Sequence, residues 1–123
     1  MPVLHTDGAR NDDATLAEVE AAIQRLDGDQ RSLVIVELSS GQTLTIGGGP
    51  ERFVAEVAET DTTRFAVIDP RAGDGSVDLV GGGQLVDYPA RVCIKRDAAL
   101  RAARAFVQES GVRTPDLTWS VET

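Results

Sequence analysis

Asp61, Asp69, Asp74, Asp78 and Asp87 crowd the loop-rich middle of this 123-residue chain, and they are the first residues to question for chemistry. Paired carboxylates can exchange protons with a substrate or hold Ca²⁺ or Mg²⁺. Asp69, Asp74 and Asp78 lack the alternating ligand spacing of a calcium loop, and a solvated acidic rim accounts for them better. A nucleophile needs a base, yet His5 is the only histidine and sits in a polar N-terminal stretch. Cys93 is the only cysteine, which excludes an internal disulfide and leaves too few thiols for a zinc-finger-type site. Its apolar setting, Val92-Cys93-Ile94, suits a small buried residue. Gly47-Gly48-Gly49-Pro50 follows a strand signal as a phosphate loop would. It lacks the Lys-Ser/Thr pair, however, and reads as a flexible bend. No catalytic, metal-binding or cofactor-binding residue is assigned, and the chain reads as a non-enzyme.

Charge points to a partner. The formal net charge is −8 and the sequence pI about 4.5, so nucleic acid and anionic membranes are repelled unless a basic patch intervenes. Arg91, Lys95, Arg96, Arg101, Arg104 and Arg113 supply half of the basic residues, but no aromatics for base stacking are interleaved with them. An acidic face meeting a basic protein is the better fit, with Glu59, Asp61, Asp69, Asp74, Asp78 and Asp87 as the candidate partner-binding residues. No apolar run approaches the roughly 20 residues that cross a bilayer, and no basic start with a long apolar segment marks a secretory signal. The expected location is cytoplasmic. Oligomeric state is left open.

Positioning these residues requires a scaffold. Residues 1–13 read as a flexible N-terminal arm, and 14–123 as a single α+β domain. Asp13 or Thr15 can cap a helix reaching about Leu26, with Leu16, Val19, Ile23 and Leu26 on one side and Asp27-Gly28-Asp29 as its stop. Ser32 to Leu38 and Gln42 to Ile46 flank Ser39-Ser40-Gly41 as a hairpin. Phe53, Ala55 and Val57 alternate as a strand, Arg64 to Ile68 form another, and Ser76 to Val80 a third that breaks at Gly81-Gly82-Gly83.

Arg91 to Trp119 carries the strongest signals. Val92 to Ile94 reads as a buried strand and Asp97 as an N-cap. Ala99, Leu100, Ala103, Phe106 and Val107 then form one helix face. Gly111 sits where a left-handed stop belongs, Val112 is placed to pack back on Val107, and Leu117, Trp119 and Val121 alternate as a last strand, with Trp119 in the core. The sum is an α+β fold: an antiparallel meander sheet with an N-terminal and a C-terminal helix on one face.

Gly83 through Tyr88-Pro89, Val92 to Ile94, the helix ending Ala105-Phe106, Gly111-Val112-Arg113, Pro115 and Trp119 together resemble immunity protein family 1 of bacterial polymorphic toxin systems. The resemblance covers the last 40 or so residues well and the middle strands loosely. It implies a small α+β protein that neutralises a cognate toxin, commonly a nucleic-acid deaminase, with an acidic surface over its active site. It assigns no contact residue. Two other readings stand beside it: an accessory or regulatory protein of an actinobacterial gene cluster with the same fold, and a small-ligand binder using the middle-loop carboxylates.

Overall fold

The computed structural model describes residues 2–122; Met1, the first residue of the expected arm, and Thr123 lie outside the described residues. Nine strands and two helices follow one another as β1 (Val3–Thr6), β2 (Ala9–Asn11), α1 (Leu16–Gln24), β3 (Leu33–Glu37), β4 (Thr43–Gly48), β5 (Phe53–Ala58), β6 (Arg64–Ile68), β7 (Ser76–Gly81), β8 (Gln84–Pro89), α2 (Arg96–Gln108) and β9 (Thr118–Glu122), with a 3-10 turn at Ala90–Val92. Seven strands form one antiparallel sheet in the order β2-β1-β3-β4-β5-β6-β9, while β7 and β8 pair separately.

Alternation decides which face is the core. Phe53, Ala55 and Val57 are buried, and Val54, Glu56 and Ala58 between them are not. Val34, Val36, Leu44, Ile46 and Val67 join them under Val19, Ile23 and Leu26 on the α1 side and Ala99, Leu100, Ala103 and Phe106 of α2. Both helices thus lie on one face, as the α+β reading expects.

The helix ends are built differently. Thr15 caps α1: its hydroxyl accepts from the Glu18 N–H, and the Glu18 carboxylate accepts from the Thr15 N–H, which holds that carboxyl below its usual range. Asp27 stops it by accepting from the Asp29 and Arg31 amides. Asp97 is not the cap of α2. That position is Lys95, with no side-chain cap, because the helix starts two residues earlier than expected; Asp97 in the first turn instead pairs with Arg101 at 3.0 Å. The left-handed stop falls one residue sooner than expected: Ser110 (φ +53°) takes the C′ position after the Glu109 cap, and Gly111 (φ +95°) follows it, its N–H donating to Phe106 O. Val112 does not pack back; it is exposed, because the chain turns Arg113 and Thr114 inward instead.

Three other expectations change. Residues 3–11 are not a free arm but the β1–β2 hairpin, paired through β1 to β3. The glycine bend is packed tightly under the end of α1, where a Cβ on Gly49 would run into the Leu26 carbonyl. Val92–Ile94 is no strand: the chain is still turning after Pro89, and only Ile94 bridges to Phe53, by amide–carbonyl bonds of 2.7 and 2.8 Å.

Phe106 is wholly buried between α2 and the sheet. Phe106→Ala should lower the unfolding free energy in a urea titration by about 3–5 kcal/mol.

Candidate interaction surface

The separate β7–β8 hairpin is the feature that the sequence analysis half-saw. It recognised β7 and stopped at the glycines, whereas Gly82 and Gly83 (φ +61° and +81°) are the two central residues of a tight turn into β8. Register places Ser76, Asp78, Val80, Leu85, Asp87 and Pro89 on one face, and Val77, Leu79, Val86 and Tyr88 on the other. Leu79 is buried, fitting against the space that Gly48 leaves for want of a side chain, whereas Asp78, Leu85 and Asp87 are exposed. The hairpin therefore has an attached face and an outward face.

Both ends are fastened. At the turn, the Ser32 hydroxyl, buried completely, accepts from the Gly83 N–H at 3.0 Å and donates to Asp7 Oδ1 at 3.1 Å. The second Asp7 oxygen accepts from the Ser32 and Leu33 amides, each at 3.0 Å. At the open end, the Ala90 N–H donates to Gly75 O, and the Asp69 N–H donates to Arg91 O. Between the ends, Tyr88, Pro89 and Arg91 overlie the sheet face turned away from the helices. They enclose, with Thr45, Val54, Glu56, Arg64 and Ala66, a cavity of about 410 Å³. Burial in this cleft raises the Tyr88 phenol above its ordinary value of 10.0, and Cys93 beneath Pro89 is likewise raised from 9.0 by burial. A thiol so protonated and buried is a packing residue, as its apolar run indicates.

The six expected carboxylates do not share one face. Asp78 and Asp87 are direct cross-strand partners on the hairpin, and Asp74 is exposed in the loop leading to it. Asp61 is exposed in the β5–β6 turn, the opposite end of β6 from Asp69, about 13 Å along five strand residues. Asp69 accepts from the Arg71 amide at 2.9 Å. Glu59 is engaged internally: Arg113 Nε donates to it at 2.8 Å while its guanidinium lies 3.5 Å from the Phe65 ring centre. Trp119 donates to Thr114 O at 2.9 Å and packs on the core. Arg113, Gly111 and Trp119, which carry the sequence resemblance, are thus a structural knot.

Three more of the C-terminal basic residues are similarly occupied. Arg96 donates to Pro50 O, Arg101 pairs with Asp97, and Arg104 reaches across to Glu20 of α1 at 3.0 Å. A second cleft of about 450 Å³ near the start of α2 contains Asp69, Asp97 and Asp116 together with Arg71, Lys95 and Arg101. Among the described residues no three His, Cys, Asp or Glu side chains are grouped as metal ligands would be. No helix among them is long and apolar enough to cross a membrane.

Compared with known proteins, residues 12–121 match the family model described as immunity protein Imm1. No curated protein matches the chain.

Ser32→Ala removes both the acceptor for the Gly83 amide and a donor to Asp7. The expected loss is about 1–3 kcal/mol of stability, with faster hydrogen exchange at the Gly83 amide than at the β3–β4 amides; unchanged exchange there would show the turn to be held by other contacts.

Proposed function

We propose, from the premise that the chain belongs to the Imm1 immunity protein family, that it binds and neutralises a cognate bacterial toxin by covering the toxin's active site with an acidic surface. The family match carries the immunity role. Support for the manner of binding comes from Asp74, Asp78 and Asp87: they lie in a stretch, residues 72–90, that contains no Lys or Arg, and no salt bridge reaches them among the described residues. An enzyme that modifies nucleic acid presents a positive cleft to its substrate, and an acidic protein competes there as a polyanion does. The toxin is accordingly a nucleic-acid-directed enzyme, a deaminase in the reading preferred here. Inhibition is by occlusion and requires no catalysis, cofactor or metal; it takes place in the cytoplasm of the cell that makes both proteins. Asp61 and Asp69 extend the acidic surface along the sheet ends, while Glu59 contributes through the fold by holding Arg113.

The mixed-charge linings of the two clefts favour this reading over a small-ligand site. Three of the four carboxylates there have a local partner: Glu56 with Arg64, Asp97 with Arg101, and Asp69 with the Arg71 amide.

Coexpression with the toxin gene adjacent to this one should restore growth and yield a co-purifying complex. The association rate should fall at least about tenfold between low and high salt in stopped-flow mixing. Neither rescue nor complex would sink the immunity role; a salt-independent rate would sink its electrostatic basis.

A further inference from the structure

The outward face of the β7–β8 hairpin has an arrangement that folding alone does not favour. Asp78 and Asp87 are direct register partners, so their Cα atoms are about 5 Å apart and their side chains leave the same face side by side. Like charges so opposed are destabilising. No salt bridge reaches either of them among the described residues, and residues 72–90 hold neither Lys nor Arg. The next pair on the same face is Val80 with Leu85, and Leu85 is 69% exposed, the most exposed of the large apolar side chains. An unpartnered sheet face thus carries an apolar pair directly beside a doubled negative charge. It is held rigid from behind by Leu79 and at its turn by Ser32.

We propose that this face docks the toxin through one arginine, whose guanidinium lies between the Asp78 and Asp87 carboxylates while its stem and neighbouring apolar atoms cover Leu85. Charge complementarity selects the occupant. Two carboxylates spaced across a strand pair offer acceptors to both edges of a planar five-donor group, which the compact ammonium of lysine does not span. A long cationic side chain also matches the order of the face, since its methylenes need apolar surface where its head needs acceptors. Fastening at both ends means little conformational freedom is lost when the partner arrives. The inference rests on the immunity reading and assigns the contact within it.

The test uses the full chain and a catalytically inactive variant of the toxin encoded beside it. The Asp78→Asn, Asp87→Asn double variant should bind roughly 30-fold or more weakly, mainly through faster dissociation. Leu85→Ser should lose about tenfold, and an Asp29→Asn, Glu109→Gln control, which removes the same charge away from the acidic surface, should stay within about threefold of the parent. The hairpin double variant should melt at or above the parent temperature, because the like-charge pair is gone. Scanning toxin arginines to alanine should find one whose loss is not additive with that of the double variant. If the double variant binds within threefold of the parent, or melts well below it, or no toxin arginine couples to it, the assignment is wrong while immunity stands. If the parent chain itself neither binds nor rescues, the immunity reading fails first.

Discussion

A hydroxyl with no access to water must find its partners within the protein, and Ser32 does so with three segments at once. It stands at the entry to β3, donates to the turn between β1 and β2, and accepts from the turn between β7 and β8. None of these three lies next to another in the chain. The same junction therefore secures a pairing at the sheet edge and sets where the separate hairpin rests. Gly47 lies directly beneath, close to the Ser32 carbonyl and the Gly81 backbone, so the absence of a side chain there is part of the same fit. Removing the hydroxyl would cut the link between the Asp7 and Gly83 turns; a side chain at Gly47 would press on the Ser32 carbonyl and ask it to give by a few tenths of an ångström.

The parts legible in the sequence were those whose stabilisation is local. A cap just before Leu16, the Ser39-Ser40-Gly41 turn and the alternation of Phe53, Ala55 and Val57 all state themselves within a few residues, and the end of α2 is misplaced by only one. The parts that escaped depend on distant partners. The three- and four-residue strands of the N-terminal hairpin have no pattern of their own and exist through β3 and Asp7. Strand β8 was hidden because Gln84, Leu85, Val86 and Asp87 are exposed in a row without apolar/polar alternation, and the glycines before it looked like an ending. Ile94 was correctly taken as buried but reaches the sheet by a single bridge.

The candidate surface shows the same division. Counting carboxylates found the residues, and only register could show which of them meet. Asp78 and Asp87 are nine positions apart in the chain and opposite each other across the hairpin, whereas Glu59 and Asp61, two positions apart, have different surroundings. The Arg113 contacts with Glu59 and Phe65 explain why the C-terminal part of the identifying pattern, Gly111 to Trp119, serves the fold and is not left free to meet a partner. An identifying motif of this sort preserves the platform and is silent about what stands on it.

The two-residue period of β7 and β8 separates two kinds of constraint. Val77, Leu79 and Tyr88 are covered on the inner face, although Val86 beside them is exposed; on the other face Ser76, Asp78, Leu85 and Asp87 are open to solvent and Val80 is half-buried. Substitutions on the outward set change the pattern of charge and shape shown to the outside while the seat beneath is untouched. Exposed positions of this kind can vary one residue at a time at little cost to the packing beneath, which is the freedom that the proposed docking face would need to follow a changing partner.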